Sequence, residues 1–218
     1  MPRILDILLS SFALLILLPL FIPTVIILLL TGEHKVFYSQ NRVGYKNKNF
    51  KILKFATMLS NSANIGTGSL TLKNDFRVLP FGAILRKTKI NELPQILNII
   101  KGDLSIVGPR PQMQVDFEKY SDDVQQKIYN VRPGLTGIGS IVFRDEESLI
   151  SLASENENPH DFYKRVIAPY KGELEIWYQN HHSIYVDFQL IFITAWAIVV
   201  PETRIYEKWF VDLPKRTF

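Results

Sequence analysis

The densest concentration of chemically capable side chains runs from Arg86 to Pro111. It reads Arg-Lys-Thr-Lys-Ile-Asn-Glu-Leu-Pro-Gln, then an apolar stretch, then Lys-Gly-Asp-Leu-Ser-Ile-Val-Gly-Pro-Arg-Pro. Pro94 suits the first turn of a helix, where its missing N–H costs nothing. Glu92 therefore falls just before a helix start, where backbone N–H groups and the helix dipole favour anions. Arg86, Lys87, Lys89 and Arg110 bring positive charge to the same stretch. Guanidinium forks suit phosphate oxygens. A carboxylate beside a phosphate also makes a magnesium site, because Mg²⁺ takes a few oxygens and keeps several waters. The competing reading is a capped helix with solvated lysines, and for the lysines alone it wins.

Other charged or polar clusters carry less. His181-His182 has no partner at metal-ligand spacing, and adjacent helical histidines diverge, so a surface or interface role is expected. Asp122-Asp123 and Glu146-Glu147 sit in polar helical stretches and are expected to be solvated. A glycine-rich phosphate loop and a recognisable Ser-His-Asp arrangement are both missing from the sequence. Aromatic residues do not alternate with basic ones in a stacking platform, which argues against nucleic acid.

Several elements must hold the Arg86–Pro111 cluster in place. Ile96, Leu97, Ile99 and Ile100 make an apolar helical face after Pro94, and Gly102 is a natural stop. Val36–Tyr38 and Phe50–Phe55 read as short strands with a polar turn at Tyr45–Asn49. Asn61–Ser69 reads as a loop. Phe76–Lys87, Asp116–Asn130, Glu146–Ala153 and His160–Gln179 read as helices, the first weakly.

Two apolar stretches point to a membrane. No charged side chain occurs from Ile7 to Gly32, a length comparable with the roughly 20 residues that cross a bilayer. A signal peptide fits poorly, because its apolar core is typically about 7–15 residues and a small-x-small cleavage site is lacking here. Pro19 and Pro23 predict a kink. Positive residues flank both ends (Arg3 on one side; Lys35, Arg42 and Lys46 on the other), so a span and a re-entrant hairpin are both open. Phe188–Val200, at roughly 13 residues, is too short to span. Its aromatic neighbours suit either a core helix or one lying in the membrane interface.

The bulk numbers agree with this division. The chain has 218 residues, 47% hydrophobic and 21% charged, with net charge +4. That is enough for one domain with a core. The mild basic excess suits an anionic surface or a phosphate-bearing ligand. With no cysteine, disulfides, iron–sulfur clusters and thiolate zinc sites are excluded.

The motifs together resemble those of the bacterial sugar transferases, the monotopic phosphoglycosyl transferases. Their pattern is Arg-x-x-x-x-Asp-Glu-Leu-Pro-Gln followed by Lys-Gly-Asp-Met-Ser-x-x-Gly-Pro-Arg-Pro. Gln40-x-Arg42-x-Gly44, Lys54-Phe55-x-Thr57-Met58 and Val131-Arg132-Pro133-Gly134-Leu135-Thr136-Gly137 resemble flanking motifs. The N-terminal run resembles the family's re-entrant helix, and the late aromatic stretch its interfacial helix. Several ordered motifs over nearly the whole chain make the resemblance specific.

The resemblance implies a mostly helical monotopic α/β membrane enzyme with small sheets. Residues 1–34 would be the membrane-inserted helix and 35–218 a cytoplasmic catalytic domain at the bacterial inner membrane. It implies transfer of a sugar-1-phosphate from a UDP-sugar to polyprenyl (undecaprenyl) phosphate, with Mg²⁺ and release of UMP. Such a reaction initiates exopolysaccharide, capsule, lipopolysaccharide or glycan assembly. Carried over by position, Glu92 is the second acid of the family's dyad and a Mg²⁺ ligand. Arg86 and Arg110 are phosphate-site candidates, and Lys54 and Arg144 weaker ones. Asp103, in the Lys-Gly-Asp motif, and Asp145 are candidate supporting carboxylates, and for Asp103 a structural role is at least as strong a reading.

The pattern breaks at the family's nucleophile, an Asp, where this chain has Asn91. An amide is a poor nucleophile, and losing a covalent nucleophile costs orders of magnitude in rate. The following Asn-Gly-Arg-Asn stretch becomes Val142-Phe143-Arg144-Asp145, and Ala56 replaces a common basic residue. Three accounts stay open. Glu92 or another carboxylate such as Asp145 supplies the nucleophile; or the two substrates react directly, with Asn91 positioning a phosphate oxygen; or the chain is a non-catalytic binding or scaffolding partner. The intact phosphate machinery favours the first two.

Overall fold

A computed structural model describes residues 1–218. The chain is mostly helical, with two small two-stranded sheets. Helix α1 (Arg3–Leu30) is 28 residues long, and its helical assignment runs through Pro19 and Pro23. At 1.5 Å per residue it measures about 42 Å, against a hydrocarbon core of about 30 Å. Yet both of its ends rest on the same domain. At the start, the Arg3 guanidinium donates to the carbonyls of Ile99 and Ile100 at 2.5 and 2.7 Å. Those carbonyls sit in the last turn of α3 (Gln95–Lys101), where a cation is favoured. Asp6 is fully buried and accepts from Ser105 Oγ and the Ile106 amide, both at 2.9 Å. At the far end, Phe21, Val25 and Leu28 pack against Phe55 and Leu85. Between the ends, Phe12, Leu15 and Ile16 are 60–67% exposed. A straight span would carry one end away from the domain across the bilayer. Here the helix instead lies along the domain with both ends docked on it.

Strands β1 (Phe37–Val43) and β2 (Asn49–Phe55) form an antiparallel hairpin. β1 runs several residues further than its apolar residues predict. Ser39 and Asn41 hid it: they are its solvent face, alternating with the more buried Tyr38, Gln40 and Arg42. The pairs Tyr38↔Lys54, Gln40↔Ile52 and Arg42↔Phe50 put these side chains on one face. Next come α2 (Pro80–Lys87), which is shorter than the expected Phe76–Lys87, and a 3₁₀ turn at Ile90–Glu92 leading into α3. Gly102 ends α3 at φ 104°, a left-handed conformation that suits glycine.

Strand β3 (Ser105–Val107) pairs in parallel with β4 (Gly134–Thr136). Both are three residues long, too short for any periodicity to announce them. The expected helix over Asp116–Asn130 is two short helices, α4 (Gln114–Phe117) and α5 (Asp122–Lys127), broken before Asp122. Then follow α6 (Ile138–Val142), α7 (Glu146–Ala153) and α8 (Pro159–Phe162). A π-helical turn at Tyr163–Ile167 leads into α9 (Ala168–His181). Helices α10 (Ile184–Val199) and α11 (Ile205–Trp209) complete the chain.

The main core gathers around α9, where Ile167, Leu174 and Tyr178 meet Ile138, Ile150 and Leu190. α10 adds Leu190 and Ile193 to that core and exposes Tyr185, Phe188, Phe192 and Trp196 on its other side. An aromatic outer face of this kind suits a headgroup region.

Candidate functional site

The hairpin face, the Ile90–Glu92 turn and the loop after β3 converge on one carboxylate. Glu92 Oε1 lies 2.9 Å from an Arg110 terminal nitrogen and 3.6 Å from Lys54 Nζ. The Glu92 side chain is 15% exposed, which leaves the site open on one side. Burial alone would push the Glu92 carboxyl up. Arg110, Lys54 and Lys89 outweigh it and hold the group well below the usual carboxylate range, so it is ionised at neutral pH. Glu92 in turn raises Arg110. Burial dominates at Lys54 and pushes it down to about 7; Glu92 opposes the shift, while Arg110, Arg42 and Arg86 add to it. The cluster thus holds one ionised acid among a surplus of cations.

The scaffold explains this placement. Asn98 on α3 accepts from the Leu53 amide at 2.9 Å and donates to the Lys51 carbonyl at 2.8 Å, fastening α3 to β2. Asp103 accepts from the same amide nitrogen at 3.2 Å and pairs with Lys101 at 3.1 Å. The geometry therefore gives Asp103 a structural contact: it holds the residue that sets Glu92 against Lys54. The loop carrying Arg110 is fixed by close backbone approach. A Cβ on Gly108 would lie 2.3 Å from the Arg132 carbonyl oxygen, and one on Gly134 2.1 Å from the Gly108 nitrogen. The two glycine motifs are thus two sides of one crossing. Tyr129 finishes the clamp, donating to the Arg110 carbonyl and accepting from the Gln112 amide, both at 2.9 Å.

The other sequence candidates are not drawn to Glu92. Arg86 Nη2 pairs with Glu147, and Arg86 Nη1 reaches the Met58 sulfur at 3.7 Å. Arg144 is exposed, with burial lowering its guanidinium, and sits near enough to Lys89 to depress it as well. Asp145 precedes α7 and pairs with Arg216 at 3.0 Å, half-exposed; it makes no contact with Glu92, Lys54 or Arg110. Asn91 is buried, and its Oδ1 has no hydrogen-bond partner.

Of the Glu146-Glu147 pair, Glu147 is exposed as expected, whereas Glu146 is drawn inward. Glu146 binds the buried Lys171 at 2.6 Å, and Glu147 binds Arg86. Fold partners distant in sequence recruit them, which local polarity cannot foretell. His181 pairs with Asp212 at 2.8 Å and stacks on Trp177. Arg42, which the sequence marks only as part of a motif, is a half-buried member of the cluster. It donates to Gln40 Oε1 at 2.6 Å and to the Pro111 carbonyl at 3.3 Å, and its Nε is unpaired. Its position opposite Phe50 on the Lys54 face was the available signal. Glu175 on α9 was missed altogether. It is 1% exposed, and neither carboxylate oxygen has a hydrogen-bond partner. Burial pushes it up to about 8, with Lys171 and Arg110 opposing.

No group of three His, Cys, Asp or Glu side chains gathers anywhere in the chain. Glu92 with the unpartnered Asn91 Oδ1 does fit an ion that takes most of its oxygens from phosphate and water, the usual Mg²⁺ arrangement.

Fold and site define a mostly helical protein with one long apolar N-terminal helix and positive charge gathered around one ionised carboxylate. Residues 1–201 match the model of the bacterial sugar transferase family, and the chain belongs to that family. Among curated proteins it is 31% identical over 199 residues to an Aeromonas hydrophila protein, covering 90% of this chain and 43% of the relative. That relative is named UDP-N-acetylgalactosamine-undecaprenyl-phosphate N-acetylgalactosaminephosphotransferase. It is 37% identical over 160 residues to the exopolysaccharide production protein ExoY of Rhizobium meliloti, covering 67% of this chain and 70% of ExoY. It is 31% identical over 176 residues to the undecaprenyl-phosphate galactose phosphotransferase of Salmonella typhimurium, covering 74% of this chain and 33% of that protein. The chain thus spans less than half of the Aeromonas and Salmonella proteins.

Proposed function

We propose that the chain is a phosphoglycosyl transferase that moves a sugar-1-phosphate from a UDP-sugar to polyprenyl phosphate and releases UMP, initiating exopolysaccharide or related glycan assembly. The observation that carries this reading is the ionised Glu92 set among Arg110, Lys54 and Lys89, on a domain that grips both ends of a membrane helix. Two phosphate-bearing substrates repel each other, and a cationic, partly desolvated site lowers that cost. An oxygen nucleophile attacks the β-phosphorus of the donor. The bond from that phosphorus to the bridging oxygen breaks, and UMP leaves with the oxygen. With the acceptor phosphate as nucleophile, the product forms in one step. With the Glu92 carboxylate as nucleophile, the acceptor displaces it in a second step.

Glu92 and Asn91 would hold Mg²⁺, which supplies charge neutralisation on the donor diphosphate. Arg110 keeps Glu92 ionised and faces the phosphates. An incoming anion would also return Lys54, now near 7, to its charged form. The catalytic domain would face the cytoplasm, where nucleotide sugars are made.

One observation favours a second reading, a membrane-bound binding partner without turnover: Asn91 at the nucleophile position. UMP release decides between them, measured from a panel of UDP-sugars with undecaprenyl phosphate and Mg²⁺ in nanodiscs. Wild-type turnover is expected. A silent wild type that Asn91→Asp switches on would overturn the transferase reading in favour of the binding partner.

A further inference from the structure

Residues 210–218 have no helix or strand of their own and lie beyond the stretch that matches the family model. Ordering such a segment costs backbone entropy, so side chains must tie it down. Here the ties are close-set. Phe210 and Leu213 enter the main core. The Pro214 carbonyl accepts from the Tyr170 hydroxyl at 2.9 Å. Arg216 pairs with Asp145 at 3.0 Å, and its guanidinium lies 5.7 Å from the Phe143 ring centre and 4.8 Å from that of Phe218. The Phe218 ring stacks with Phe143 at 6.4 Å and meets Tyr170 edge-on at 5.8 Å.

These contacts grip the short link between α6 and α7. Val142-Phe143-Arg144-Asp145 stands where the family resemblance has Asn-Gly-Arg-Asn. The arginine is kept, and the residues on either side of it are changed to the two that Arg216 and Phe218 hold. A glycine at 143 would leave the link free to turn. Phe143 pins it instead, 4% exposed between Tyr170 and Phe218.

Arg144 is left without an acid. The cations around it are taken: Arg86 by Glu147, Lys171 by Glu146 and Arg216 by Asp145. Arg144 is exposed, and only burial acts on its guanidinium. Its charge reaches Lys89, which is also exposed and makes no ion pair, and Lys89 in turn acts on Glu92. Two free cations side by side repel each other, and an anion between them reverses the sign.

We propose that residues 210–218 are a strap that positions Arg144 beside Lys89, so that the two together hold a phosphate of an incoming substrate at the rim of the Glu92 site. Arg216 and Phe218 are positioning residues, acting through Arg144. The inference rests on the transferase reading.

The test uses the full chain in nanodiscs, with KM and kcat for both substrates read from UMP release. Arg216→Ala combined with Phe218→Ala should raise one KM by about tenfold, the scale of a small misplacement of a binding group, and leave kcat within about threefold. Whether the UDP-sugar KM or the polyprenyl phosphate KM moves tells which phosphate is held. Arg144→Ala should move the same KM by a similar factor. Adding the strap substitutions to Arg144→Ala should then change that KM by less than about twofold, because both act through one side chain. Phe218→Tyr keeps the ring and should match the wild type. Asp145→Asn leaves the ring contacts in place and should not release the strap. Should the double variant fail to fold, Arg216→Ala alone, which spares the ring stack, enters the same comparison.

Strap and Arg144 effects that multiply in full would overturn the proposal, as would a folded strap variant with both KM values unchanged or with only kcat reduced. Amide hydrogen exchange at residues 143–147, faster in the strap variant than in the wild type, checks the grip without turnover. The two readings therefore fail separately. Faster exchange in a chain that never releases UMP sinks the transferase, whereas UMP release with unchanged exchange sinks only the strap.

Discussion

Half-buried Glu92 and fully buried Glu175 are carboxylates beside Arg110, and their surroundings push them in opposite directions. Glu92 receives the Arg110 side chain at 2.9 Å and Lys54 at 3.6 Å, and stays ionised. Glu175 lies near the Arg110 backbone without a geometric hydrogen bond to either oxygen, and burial pushes it up to about 8. The nearest cation in sequence, Lys171, is committed to Glu146. Burial acts on both acids. What separates them is whether a cation faces the carboxylate. One acid is kept charged at an open site; the other is kept close to neutral inside the core.

That contrast can be broken or sharpened by substitution. The largest effect is expected from Glu92→Gln, which keeps the shape and removes the charge. UMP release should fall by roughly 10³-fold, and a fall of less than tenfold would remove Glu92 from the centre of the site. Arg110→Ala comes next. It leaves Glu92 buried with Lys54 as its close partner, so turnover should drop roughly 10²-fold and the melting temperature should decrease. An unchanged rate would mean that the Arg110 side chain only fills space.

Glu175→Gln should do the reverse. Turnover is expected to stay within about threefold, while stability rises at alkaline pH. The sign follows from the raised pKa. Between the ordinary value of 4.5 and about 8, the folded protein holds a proton that the unfolded chain has lost. Stability from this group is complete below about 4.5 and is lost as pH rises through about 8. Glu175→Gln removes that loss, on the order of a few kcal/mol above pH 8. Denaturant melts at pH 4.5 and 8.5 check it: the variant should gain on the wild type only at the higher pH. The smallest effect is expected from Asp145→Asn. Its pair with Arg216 is half-exposed, so stability should change by no more than about 1 kcal/mol and turnover by less than about twofold. A large loss of turnover would restore Asp145 as a carboxylate of the reaction.

The same contrast separates what could be read in the sequence from what could not. Glu92, Arg110 and Lys54 were legible because each stands in a dense motif. At Asp103 the motif left a supporting carboxylate and a structural role both open, and the fold attaches the residue to Asn98. Glu175 lies in a stretch of α9 with mixed polarity and no motif, so no local pattern marked it as buried. Glu146 carried the marks of a solvated acid, yet the fold pairs it with the buried Lys171.

By itself the sequence determined the elements with strong local signals. The uncharged run over Ile7–Gly32 makes α1, Pro94 and Gly102 bracket α3, and alternation makes the hairpin. These depend on periodicity, proline and glycine, which act over a few residues. Only the tertiary structure decided which charges meet. Arg110 goes to Glu92, Arg86 to Glu147 and Arg216 to Asp145. It also decided that both ends of α1 dock on one domain. The physical reason is range. An ion pair joins residues far apart in the chain, and its choice among several opposite charges follows from the packing that brings backbones together, not from the residues beside it.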